Sequence, residues 1–149
     1  MRRLAALLVL LATPAVAQEQ LRGTWRGSYV CAQGHTALAL TIEPDKPGTF
    51  SAFFHFEAPS DNPGVPTGCY EMQGRFDPTT RQMVLNQRRW VLKPPNYVMV
   101  DLSGQLSPGG DRIEGQVHGP FCATFQVDRA PGPPAAEACR RGEPVISLR

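Results

Sequence analysis

The chain has 149 residues, with 15 Lys and Arg against 13 Asp and Glu, three His, and 42% hydrophobic residues. The cationic excess of two lies wholly in Arg2 and Arg3 at the start of the chain, so beyond residue 17 the charges balance. The isoelectric point near 8.5 is therefore no footprint of a nucleic-acid or membrane-surface binder, and there is neither a basic arm nor a heptad pattern.

The first element is the stretch MRRLAALLVLLATPAVA, in which two arginines precede an apolar run ending before Thr13-Pro14 and a small-residue site at Ala15-Val16-Ala17. That is the layout of a secretory signal peptide cleaved after Ala17. The run is too short for a transmembrane helix, which needs roughly 20 apolar residues. No cysteine follows the cleavage point, so no acylated membrane anchor is expected either. The remainder, from Gln18 onward, suits one domain with a substantial core.

From Gly23 to Arg129 helical periodicity is absent. Short runs rich in aromatic and β-branched residues alternate with Pro, Gly and Asp clusters, the signature of an all-β chain. Eight strands are predicted, at residues 23–31, 36–43, 49–57, 69–76, 81–86, 97–106, 111–118 and 121–129. Alternation puts Trp25, Tyr29 and Cys31 on one face, followed along the chain by Leu38, Leu40 and Ile42, by Phe50, Phe54 and Phe56, and by Tyr70, Met72 and Phe76. Val98, Val100, Leu102 and Leu106 continue that face, as do Ile113 and Val117, then Phe121, Ala123, Phe125 and Val127.

The connections divide into two kinds. IEPDKPGTF, FDPTTRQM and LSPGGDRI are hairpin turns, each with an acidic or hydroxyl residue near a Pro that presets φ. Residues 58–68 instead form a Pro-rich loop longer than a tight turn requires, and long loops in small domains are often functional. The segments CYEMQGRFDPTTRQMVL and MVDLSGQLSPGGDRIEG also align, matching Gly74 with Gly104 and Pro78 with Pro108; duplication and shared turn requirements explain this equally well. In NQRRWVLKPPNY, the parity of Met83 and Leu85 would turn Arg89 inward and Trp90 outward, so a bulge is expected between Asn86 and Arg89. Beyond Arg129 the chain reads as a Pro-rich tail, residues 130–149.

Eight consecutive antiparallel strands can close as an up-and-down barrel, which removes both sheet edges. Cys31, Cys69, Cys122 and Cys139 form an even set in an exported chain, which favours two disulfides over metal ligation. Closure brings the end of the first strand beside the start of the last, favouring Cys31–Cys122 and Cys69–Cys139. The pairing Cys31–Cys69 with Cys122–Cys139 is nearly as compatible with the spacing.

Gly23-Thr24-Trp25 resembles the Gly-x-Trp that opens lipocalin and avidin barrels, with Gly27-Ser28 extending the avidin likeness. The resemblance implies a Trp closing the barrel floor and a small ligand within. Only Trp25 and Trp90 are present, so the several Trp of an avidin pocket are not matched. Tyr29-x-Cys31-x-x-Gly34 resembles the first strand of periplasmic C-type lysozyme inhibitors, whose Ser-x-Ser-Gly-x-Arg-Tyr inhibitory loop is missing here. Over the mature chain the succession GTWRGSYVCAQG, RRWVLKPPNYVMV, GPFCATF is similar to small exported bacterial β-domains, a likeness that brings no activity with it.

Catalytic signals are thin. His35, His55 and His118 fall at one end of the meander, with Glu57 on the same strand face as His55, but no tight metal-ligand spacing supports zinc and surface histidines are expected. No G-x-S-x-G elbow occurs, Ser60-Asp61 reads as turn chemistry, and Glu71 and Asp101 read as solvated carboxylates. The expectation is a non-catalytic, exported, periplasmic or extracellular binding or inhibitor-like module without a cofactor. It would meet a protein partner through the 58–68 loop, with Asp61 and Asn62, or through Arg88, Arg89, Trp90 and Tyr97, an aromatic and cationic ridge. The alternative is a carrier of a small apolar ligand, though an eight-stranded lumen is barely wider than its own side chains and is expected to be mostly filled. A metal-dependent enzyme is the least favoured reading.

Overall fold

The computed structural model describes residues 18–134, 137, 139 and 140; the leader expected at residues 1–17 lies outside them. Eight strands follow in order: β1 Gly23–Cys31, β2 Gly34–Pro44, β3 Thr49–Glu57, β4 Gly68–Asp77, β5 Gln82–Leu92, β6 Asp101–Leu106, β7 Arg112–His118 and β8 Thr124–Arg129. Each is antiparallel to the next, and β1 pairs with β8 from Trp25↔Arg129 to Tyr29↔Phe125, closing the barrel. Closure is tightest at Gly27, where an added Cβ would sit 2.0 Å from the Gln126 carbonyl oxygen.

The two ends differ in a way that follows from their connections. All three Pro-containing hairpin turns lie at one end, the floor. There Asp77 Oδ1 accepts from the backbone N–H of Thr79 at 2.8 Å, and Ser107 Oγ pairs with Asp111 at 2.7 Å, so short polar side chains hold both turns. Floor packing is complete. Trp25 is fully buried, donates its indole N–H to the Leu21 carbonyl at 2.9 Å, and carries the Arg129 guanidinium over its ring at 4.2 Å. Leu21, Leu40, Ile42, Phe50, Leu102 and Ile113 belong to the same buried core.

The long connections, 58–67 and 93–100, gather at the opposite end, the mouth, together with both disulfides, Cys31–Cys122 and Cys69–Cys139. These are the pairings favoured from closure. The described residues of the tail are anchored on either side of β2 and β3: Arg26 Nη2 on β1 donates to the Pro133 carbonyl at 3.4 Å and Cys139 bonds Cys69 on β4. Ala39 and His55 face outward on those strands yet are buried, and His55, expected at the surface, is 1% exposed.

Strand limits depart from expectation on both sides of the mouth. β5 runs on to Leu92 and β6 starts at Asp101 rather than 97, while their pairing stops at Leu85↔Leu102. Above that point the two segments part. Two bulges accompany the split: in the β4–β5 ladder Arg88 and Val91 are skipped, leaving Tyr70 opposite Trp90 and Glu71 opposite Arg89. One bulge was expected; the second, at Val91, turns Leu92 outward, opposite Cys69. β8 starts at Thr124, so Phe121 and Ala123 are loop residues and not part of the inward row. The matched segments are adjacent hairpins, and Gly74 and Gly104 each leave room for a core ring, Phe50 and Phe125.

Candidate mouth cavity

At the mouth the barrel opens into a cavity of about 340 Å³. Its walls come from Tyr29 and Cys31 on β1, the β1–β2 turn, Phe56 on β3, Tyr70 on β4, and the 96–100 and 120–122 connections. The parted upper halves of β5 and β6 create it. Val100, with no strand partner across the split, has its N–H and C=O both bonded to the Tyr70 hydroxyl at 3.2 Å. A buried phenol thus does the work of a missing strand, and backbone groups that would otherwise be orphaned are satisfied.

Aromatic rings form the walls. Phe54 stacks on Tyr70 at 4.6 Å, Phe56 stacks on Tyr97 at 5.4 Å, and Tyr29 meets Phe54 edge-on at 5.2 Å. At the lip, Phe121 is 88% exposed and Val98 62%, both expected to point inward from alternation. Phe121 has φ 58°, a left-handed conformation uncommon for a bulky side chain. Gln33, in the β1–β2 turn, lines the cavity and donates to Tyr29 Oη at 2.9 Å and Thr36 Oγ1 at 3.1 Å. Burial raises the Tyr29 and Tyr97 phenols above their ordinary range, so both stay neutral donors at physiological pH.

The six residues singled out from sequence do not form one site. Tyr97 lines the cavity, and Trp90, turned inward by the bulge at Arg88, backs it by packing edge-on against Phe56 and Tyr70 at 6.4 and 5.1 Å. Arg89 lies on the outer face in a bidentate ion pair with Glu71, at 2.6 and 2.8 Å. Arg88, at the bulge, lines a separate outer groove with Arg75 and Gln73. Asp61 pairs with His35 Nδ1 at 2.9 Å, and Asn62 Nδ2 donates to the Gln33 and His35 carbonyls at 2.7 and 3.0 Å. Both therefore lash the 58–67 loop to the β1–β2 turn. Gln33, Asn96, Val98 and Phe121 belong to the mouth and were not singled out; the long spacing between Leu92 and Asp101 was the available signal.

The three histidines share an end but not a site. His35 faces Asp61, His118 Nε2 lies 2.6 Å from Ser103 Oγ, and His55 is buried on the outward side of β3, its pKa lowered to about 4 by burial and by Arg26. Among the described residues no three His, Cys, Asp or Glu side chains converge as a metal site. Glu71 and Asp101 are likewise engaged separately, Asp101 accepting from the Gln87 N–H at 2.8 Å.

No family model matches the chain, and no curated protein does. Among solved structures it is similar to a redesigned β-barrel, at 16% identity and a TM-score of 0.54, covering 77% of this chain and 96% of that one. The likeness concerns the fold alone. Two disulfides place the chain in an oxidising environment, and among the described residues no helix is long and apolar enough to cross a membrane. By its own geometry this chain is a closed eight-stranded antiparallel β-barrel with two disulfides at its mouth.

Proposed function

We propose that this chain is a non-catalytic, exported binding module, periplasmic or extracellular, whose site is the barrel mouth and whose ligand is a small, largely apolar molecule. The observation that carries the reading is the aromatic cavity of about 340 Å³, within the size range of small-molecule sites. The rest of the lumen is packed, which confines a ligand to the mouth. Support also comes from the amount of apolar surface left at the lip by Phe121 and Val98. A folded domain gains by burying such groups, and a ligand offers that burial.

Native mass spectrometry of protein from its own host, joined to titration with the uncharged fluorophore N-phenyl-1-naphthylamine, tests the proposal. Retained small mass, and fluorophore uptake abolished by Val98→Arg but not by Val84→Arg on the outer wall, is the expected result. An empty barrel that takes up no fluorophore would remove the carrier reading. The second reading, a protein partner, rests on the same exposed Phe121, placed where a partner would meet it first. It predicts that Phe121→Ser abolishes capture of one reproducible partner while leaving fluorophore uptake intact.

A further inference from the structure

The mouth also carries information about ligand charge and polarity. Not one of the residues lining the cavity is ionisable to a charged form near neutral pH: the polar members are Tyr29, Tyr97, Gln33, Asn96 and Tyr70, whose hydroxyl is spent on Val100. An ion entering would lose hydration with no opposite charge to meet it, a cost that neutral dipoles offset only in part.

The hydrogen-bond inventory is narrower still. Thr36 Oγ1 has one proton, and it goes to the Gly34 carbonyl at 3.1 Å, so Thr36 can only accept from Gln33. That orients the Gln33 amide: its nitrogen spends both protons, on Thr36 and on Tyr29 Oη, leaving its carbonyl oxygen as an acceptor. Tyr29 consequently accepts from Gln33, and its own proton, for which Thr36 Oγ1 is the partner inside the protein, can turn to a ligand acceptor because Gln33 already serves Thr36. Desolvation holds that phenol in its neutral, donating form.

Resting on the mouth as the binding site, we infer that the ligand is an uncharged, flat, ring-bearing molecule with a hydrogen-bond acceptor, which the Tyr29 hydroxyl engages while the ring lies against Tyr97. Flatness follows from Tyr97, a cavity-lining ring held in place by stacking on Phe56 at 5.4 Å, so that a planar group is what packs best against it.

Four naphthalenes of one size test the inference by calorimetric titration: naphthalene, 2-acetonaphthone, 2-naphthoate and 2-naphthylmethylammonium. The ketone is expected to bind about five- to tenfold more tightly than naphthalene, the yield of one hydrogen bond, and both ions at least tenfold more weakly than the ketone. Tyr29→Phe should reduce ketone affinity to that of naphthalene, whereas Gln33→Leu, which leaves the phenol in place, should keep the ketone preference. Two variants guard against loss of fold, each checked by circular dichroism. Equal binding of all four compounds, or a ketone preference that survives Tyr29→Phe, overturns the inference and leaves the mouth as a site. Failure of all four to bind the folded protein overturns the mouth reading and this inference together.

Discussion

At the scale of single residues, His55 is the most consequential group outside the mouth. It stands between Phe54 and Phe56 on β3 and faces outward, yet is 1% exposed with its Nε2 unpartnered. Burial first, and the Arg26 charge second, lower its pKa from 6.5 to about 4. The imidazole is thus neutral when folded, while the unfolded chain takes up a proton below pH 6.5, so stability falls as pH falls through that window. Between pH 7 and pH 5 the loss is expected to be about 2 kcal/mol, read from urea unfolding at each pH. A His55→Gln variant should show little of that slope, because Asp61, Glu71 and Asp77 have lowered pKa values and lose their stabilising charge only at more acid pH. Gly27 is the other residue whose role is sharply testable. Its missing Cβ admits the Gln126 backbone, so Gly27→Ala must push β1 from β8 and should cost about 3 kcal/mol or more, measured by chemical denaturation.

Among the elements, the disulfides do different jobs. Cys31–Cys122 spans 91 residues and joins the β1 end to the β7–β8 connection, and loss of so long a loop constraint is expected to cost about 4 kcal/mol. Replacing both cysteines by Ala, with thermal unfolding as the readout, checks this. Cys69–Cys139 ties down the tail instead. In a Cys69→Ser/Cys139→Ser double variant the tail is released, and the His55 pKa should climb towards 6.5, visible in its imidazole proton shifts. If it stays near 4, the tail does not shield that ring. The split between β5 and β6 belongs at this scale too. Met83 and Leu85 announce the inward parity of lower β5, but the reversal to an inward Trp90 depends on Arg88 being skipped against β4. A bulge could be placed near the right residues because parity failed there. Its partner at Val91 left no such trace, since Val91 and Leu92 are both apolar and alternation does not distinguish them.

Seen as a whole molecule, the barrel is built with a sealed floor and a loose mouth, because short Asp- and Ser-held turns permit tight packing and long connections do not. Hydrogen exchange should report that polarity: amides of β1 to β3 near Trp25 and Leu40 protected longest, those at 97–99 and 119–121 exchanging fastest. Uniform protection from floor to mouth would contradict it. Strand count and closure were legible in the sequence, since period-two alternation and the spacing of turn residues are local and eight such segments have few ways to hide their edges; closure favoured one cystine pairing and left the other open. The mouth was not. Val98 and Phe121 fit the inward rows by alternation, and only tertiary structure, in which β6 leaves β5 above Leu85 and β8 begins at Thr124, turns them out to the lip. Arg88, Arg89, Trp90 and Tyr97 are close in sequence, yet two bulges distribute them between the outer wall and the cavity. Alternation along one strand records which side a residue prefers, and whether its neighbour is present to enclose that side is decided by the pairing of strands.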